Sequence, residues 1–220
     1  MTGTIEGAGN IQSLMNYGDS LTDYCYRGMF SGCTSLTQAP SLPATGLANW
    51  CYSNMFWNCY SLTAAPELPA TELAVGCYNY MFYYCTNLST APELPATTLS
   101  QSCYSLMFAW CSSLSTAPEL QATTLANWCY QGMFEYCTSL STAPALPATD
   151  LANGCYWEMF RGCSNLSNIE VGFTDWGGNL NATYNWVNGV ANNGVFTKPN
   201  ELSTEYDVHR IPSGWTVVDK

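Results

Sequence analysis

The apolar residues Leu47, Cys51, Met55 and Cys59 recur every four residues, and Ala48, Tyr52 and Phe56 widen them into one stripe. That spacing predicts an amphipathic helix of about three turns. Thr45 stands where an N-cap belongs. The segment after the stripe, SLTAAPELPA, contains Pro66 and Pro69. Proline does not continue a helix and leaves room only for a short strand before a turn. The local pattern therefore reads as one short strand, one proline turn and one helix.

The same pattern returns along the chain. The twelve cysteines form six pairs, eight residues apart within a pair and 26 residues from pair to pair, without an insertion. The unit is T-x-L-A-x-x-C-Y-x-x-M-F-x-x-C-x-S-L-T-x-A-P-x-L-P-A, with copies starting at Asp19, Thr45, Thr71, Thr97, Thr123 and Thr149. Units this short do not fold alone, so they bury a core only by stacking on their neighbours. The fold class expected is α/β: a leucine-rich-repeat solenoid of six strand–turn–helix units. Residues 1–18 form an N-terminal cap, 19–168 the repeats and 169–220 a C-terminal cap. The C-terminal cap holds a helix-like NATYNWVNGVANNG, then strand-like GVFTKP and GWTVVD.

The runs MFxxCTSLTxAPxLPATxLA resemble the BspA-like leucine-rich repeats of bacterial surface proteins, with Met where that family usually has Ala before Phe. The endings YNWVNGVANNGVFTKP and IPSGWTVVDK are similar to those of gut-bacterial members. The resemblance implies a curved α/β solenoid on a cell or particle surface, with adhesion as its usual role and no catalytic residues to carry over.

Charge narrows the partners. Five Lys and Arg against sixteen Asp and Glu leave a net charge of -11, which disfavours phosphate backbones and anionic lipid alike. No run approaches the ~18 apolar residues of a membrane span. The start, MTGTIEGAGN, lacks the basic-then-apolar pattern of a signal peptide. It reads either as an intracellular protein or, the reading favoured, as a piece of a longer secreted chain or of a phage particle, for which the expected place is outside the cell or on its surface.

The cysteines invite chemistry and do not support it. Eight helical residues span about 12 Å, too far for a disulfide. Packed helices 8–10 Å apart would separate equivalent cysteines of neighbouring units as well. C-x7-C matches no common zinc spacing. The thiols are read as free, buried fillers, which suit a reducing or anaerobic setting. His209, beside Arg210, is expected to be exposed or capping rather than a general base. Glu67, Glu93 and Glu119 repeat at one position, but Ser41 and Ala145 interrupt any cation site there. The N-x-[ST] matches at Asn87, Asn165 and Asn181 read as accidental, the first two because they fall within the repeat core. No phosphate-binding or nucleophile motif is present. No cofactor, metal or enzymatic activity is expected.

The copies differ at six positions per unit: the two before C-Y, the two between C-Y and M-F, and the two after M-F. In the second unit these are Asn49, Trp50, Ser53, Asn54, Trp57 and Asn58. At about 100° per residue, all but Asn58 fall opposite the Met55 stripe or at its edge. Over the six units these 36 positions hold ten aromatic residues: Tyr24, Trp50, Trp57, Tyr80, Tyr83, Tyr84, Trp110, Trp128, Tyr136 and Trp157. Asn, Gly and Ser fill sixteen more, and Lys is absent. Solvent-facing helices favour Ala, Glu, Lys and Arg. Tyr, Trp, Ser, Gly and Asn are the composition of a paratope. The positions Thr37, Thr63, Ser89, Ser115 and Ser141, expected on the concave strands, are by contrast small and monotonous. The expectation is a non-enzymatic recognition or adhesion module that binds a protein or glycan through these ten aromatics on a convex helical face. The alternative is a structural spacer whose aromatic face packs in a homo-oligomer or against another domain.

Overall fold

The computed structural model describes residues 5–7, 9–11, 21–178 and 180–220. Most of the expected N-terminal cap, 1–18, and Asp19 at the start of the first unit lie outside them. Among the described residues there is no α-helix; a 3₁₀ turn at Leu180–Thr183 is the helical element. The strand–turn–helix architecture is therefore overturned. The C-terminal segment expected as a last helix is that 3₁₀ turn followed by further turns.

What replaces each helix is a ribbon of overlapping turns. In the second unit the N–H groups of Ser53, Met55, Trp57 and Cys59 donate to the carbonyls of Trp50, Tyr52, Asn54 and Phe56, three residues back, at 3.1–3.2 Å. The alternate N–H groups leave the unit. Trp50, Tyr52, Asn54, Phe56 and Asn58 donate to Val75, Cys77, Asn79, Met81 and Tyr83, all 25 residues on, at 2.8–3.0 Å. The odd-numbered carbonyls receive the same bonds from the unit before, so the ribbon's backbone groups are satisfied without the i to i−4 bonds of a helix.

The φ angles show why no helix forms. Trp50, Asn54 and Asn58 have φ of 57°, 57° and 60°, whereas a helix needs φ near −63° throughout. Turns 50–53 and 54–57 have negative φ at both central residues. Turns 52–55 and 56–59 carry the positive φ at their third residue, as type II turns do. Side chains therefore alternate in pairs, two inward and two outward, with a period of four and none of the angular drift of a helix. Asn58, which helical counting turns inward, belongs to an outward pair.

The inward pairs stack from unit to unit. Tyr26, Tyr52, Tyr78, Tyr104, Tyr130 and Tyr156 form one column with ring centroids 5.7–6.1 Å apart. Phe30, Phe56, Phe82, Phe108, Phe134 and Phe160 form a second at 5.5–5.9 Å. In both, neighbouring rings lie within 10° of parallel, the offset stacking that aromatic quadrupoles favour. From Cys51 to Cys163 the cysteines are buried between these columns, with Met55, Met81, Met107, Met133 and Met159.

The proline flank of each unit lies beside its neighbours in parallel, but with few bonds. Strand β1 (Ile5–Glu6) pairs with β2 (Leu36–Gln38). Single bridges join Ala64 to Thr90, Glu72 to Thr98 and Thr142 to Asn168. Leu62, Leu68 and Ala70 anchor the flank in the core. At the C-terminal end, β3 (Asn168–Glu170), β4 (Val195–Lys198) and β5 (Thr216–Asp219) form a parallel sheet. Trp176, Trp186, Phe196 and Trp215 close the core beneath it, and the indoles of Trp176, Trp186 and Trp215 donate to backbone carbonyls.

Candidate functional site

Backbone geometry accounts for much of the outward composition. The second residue of every outward pair has a left-handed φ in all six units. Gly28, Gly32, Gly76, Gly132, Gly154 and Gly162 stand there, as do Asn54 and Asn58. Glycine takes this conformation without strain, and asparagine tolerates it. At the ribbon's entry, the side chains of Asp23, Asn49 and Asn127 accept the N–H of the residue 26 further on, at 2.9–3.2 Å. The glycines and these asparagines thus serve the turn ribbon. The aromatics remain to be explained.

Seven of the ten aromatics, Tyr24, Trp50, Tyr80, Tyr84, Trp110, Trp128 and Tyr136, also occupy left-handed positions, with φ of 55–65°. A side chain with a Cβ costs roughly 1–2 kcal/mol there. Some recover that cost inside the stack. A Cβ on Gly76, Gly154 or Gly162 would run into the ring of Trp50, Trp128 or Tyr136 respectively, so each ring lies directly over the glycine of the next unit.

Six of the ten come together as one strip. Trp57 meets Tyr83 edge-on at 5.8 Å and Tyr80 at 6.2 Å. Tyr83 touches Tyr80 and Tyr84 at 5.2 and 5.4 Å. Tyr84, Trp110 and Tyr136 then stack in sequence at 5.0 and 4.0 Å. The strip crosses four units and is half-buried, with Trp57 its most open member at 37% exposure. The Arg161 guanidinium covers its far end, 5.8 Å from the Tyr136 ring.

The other four lie elsewhere. Trp50 covers Gly76. Tyr24, half exposed, stands in the first unit with Arg27 over its ring. Trp128 and Trp157 belong to a second group, in which Trp157 stacks on Tyr184 at 4.2 Å and Tyr184 on His209 at 4.9 Å. His209 accepts the Asn185 N–H on Nδ1 at 2.8 Å. Tyr184 escapes a search for exact repeats, although Ala182, Trp186 and Val190 still carry the period of four beside it.

One acidic group belongs to the strip. Glu135 is buried and shares the Arg161 guanidinium with Glu158, at 3.3 and 3.0 Å. Burial pushes its carboxyl up to about 7, the Glu158 charge adds to the rise, and Arg161 opposes it. Burial likewise raises Tyr80 and Tyr83, with the Glu135 charge a second cause.

The remaining candidates resolve simply. All twelve cysteines are free. The helix-spacing argument against their pairing does not apply, because neighbouring ribbons are joined directly by backbone hydrogen bonds. The thiols of Cys59, Cys85, Cys111, Cys137 and Cys163 each donate to a phenylalanine carbonyl of the preceding unit at 2.9–3.1 Å. Burial pushes the Cys51 and Cys59 thiols up to about 12 and raises those that follow, which keeps them protonated. Among the described residues no group of three or more His, Cys, Asp or Glu is placed to hold a metal. No helix among them is long and apolar enough to cross a membrane. Asn87 and Asn165, expected inside the repeat core, are exposed. Comparison with protein-family models, curated proteins and solved structures found no match.

Proposed function

We propose that this chain is a non-enzymatic recognition module that binds a protein surface through the strip of Trp57, Tyr80, Tyr83, Tyr84, Trp110 and Tyr136. The observation that carries the reading is their convergence into one half-exposed strip across four units, made partly of residues in strained left-handed conformations. Strain kept at an outward surface, where glycine stands in other units, points to use of the side chains themselves. Tyr and Trp supply large, rigid contact area at low entropic cost.

The geometry favours a protein over a glycan. Tyr84, Trp110 and Tyr136 stack nearly parallel, so their faces are occupied and the strip offers ring edges. A sugar platform needs an open ring face. The resemblance to BspA-like surface proteins supports a place on a cell or particle surface. A structural role is favoured for Trp50 and Trp128, whose rings cover glycines of the next unit outside the strip; Tyr136, within it, also covers Gly162.

Trp57 and Tyr83 have ordinary negative φ, so replacing both by Ala removes strip area without relieving backbone strain. In a screen against surface proteins and a glycan array, the unmodified chain should retain proteins. Trp57→Ala/Tyr83→Ala should lose them with an unchanged melting curve, and Tyr24→Ala should not. Undiminished binding by the double variant, or a stable oligomer that buries the strip, would overturn the reading.

A further inference from the structure

Glu135 occupies the outward place that Trp57 and Tyr83 hold in their units, two units along the same row from Tyr83. The residue is only 9% exposed, and its charge is not fully met. Oε1 accepts Arg161 Nη1 at 3.3 Å, but the same nitrogen lies closer to Glu158, at 3.0 Å. Among the described residues no donor reaches Oε2. Two carboxylates thus share one cation. When both are ionised a negative charge is left over, in a setting where desolvation makes it costly.

The chain has no further cation to give. Of its five Lys and Arg, Arg27 lies over Tyr24 in the first unit. Lys198 pairs with Asp219, Arg210 with Glu205 and Lys220 with Glu170. The other titratable groups facing Glu135 are Tyr80 and Tyr83 of the third unit and the Cys163 thiol of the sixth. Burial first, and the Glu135 charge with it, raises all three, so they stay protonated and neutral.

We propose that the Glu135 carboxylate is the place in the aromatic strip that receives a lysine or arginine side chain of the bound protein. This rests on the strip reading above and names the chemistry of its partner. The incoming cation bonds the free Oε2, and the neighbouring tyrosine rings favour both the charge and its methylene stem. A second copy of this chain does not fit, because its net charge is -11 and its five cations are engaged in the same way. The occupant is a different, basic surface. Its cation and the proton compete for Glu135, whose carboxyl burial pushes up to about 7.

Two measurements on the full chain test this, the first without a partner. With glutamate labelled at the carboxyl carbon, NMR follows the Glu135 signal, identified by its loss in Glu135→Gln, from pH 5 to 9. Butylammonium chloride, the lysine side chain alone, replaces sodium chloride at equal ionic strength. At about twice its Kd it should lower the Glu135 midpoint by about 0.5 on the pH scale. Butanol should not, and the signal of the exposed Glu67 should stay in place. In the surface-protein screen, Glu135→Gln should weaken retention about tenfold or more at pH 7.5. Retention by the unmodified chain should fall about tenfold or more from pH 8 to 5.5, a fall that Glu135→Gln abolishes. No displacement of the midpoint by about 0.5 M butylammonium overturns the inference. So does retention that survives Glu135→Gln where Trp57→Ala/Tyr83→Ala abolishes it, and the strip reading then stands. Retention that survives the double variant removes the strip reading and this inference with it.

Discussion

The inward and outward pairs of the turn ribbon share one backbone yet obey different constraints. Inward, the same Cys-Tyr and Met-Phe recur in every unit, stacked ring on ring and buried from the second unit to the sixth. Outward, the residues differ from unit to unit while the second of each pair keeps its left-handed φ. Packing fixes the inward identities, because a column of equal rings tolerates neither a gap nor an extra atom. Backbone conformation constrains the outward ones, and does so only at alternate positions. Three aromatics at constrained outward positions, Trp50, Trp128 and Tyr136, cover the glycine of the next unit.

The largest effect that would sharpen this contrast is a break in an inward column. Phe108→Ala, in the middle of the phenylalanine column, should cost about 3–5 kcal/mol in urea unfolding. A loss under about 1 kcal/mol would mean the column is not the core. Next is an outward glycine. Gly154 has φ of 62° and lies under the Trp128 ring, so Gly154→Ala should cost roughly 2–3 kcal/mol. Gly178, with open space around its Cα and an ordinary φ, should tolerate Ala within about 0.5 kcal/mol. Equal costs at the two sites would remove the conformational account.

Glu135 gives a pH test of the same outward face. Burial raises its carboxyl from the ordinary 4.5 to about 7. The fold therefore binds its proton more tightly than the unfolded chain does. Its contribution is fully present below about pH 4.5 and is lost as the pH climbs through about 7. Stability should fall over that window relative to Glu135→Gln by something on the order of 1–3 kcal/mol. Thermal melts of both proteins at pH 5 and 7.5 check this, and parallel shifts would contradict it. The smallest effect is expected at Trp110→Gly. Relief of a left-handed tryptophan, roughly 1–2 kcal/mol, nearly offsets lost stacking of about 0.5–1.5 kcal/mol. The melting temperature should barely move while partner binding drops.

The aromatic strip was only partly legible. The sequence picked out all ten aromatics by position in the unit, but could not group them. Which rings meet depends on stacking between units: Tyr84 stacks on Trp110, and Trp110 on Tyr136, because they share one outward row. The glycines were visible and misread. Gly28 and Gly32, or Asn54 and Asn58, stand four residues apart at the second place of each outward pair. That regularity marks a repeated left-handed φ, which an amphipathic helix would not require.

The sequence by itself determined the 26-residue unit, the period of four within it, and which residues face inward, because burial follows the pattern of apolar side chains. It did not decide between helix and turn ribbon, since both place apolar residues every fourth position on one side. A helix closes its hydrogen bonds within four residues, and the pattern supports that locally. The ribbon sends every second N–H to a carbonyl 25 residues away. Only the stacked tertiary structure brings that acceptor into place, and its presence lets positive φ recur at every fourth residue where a helix was expected.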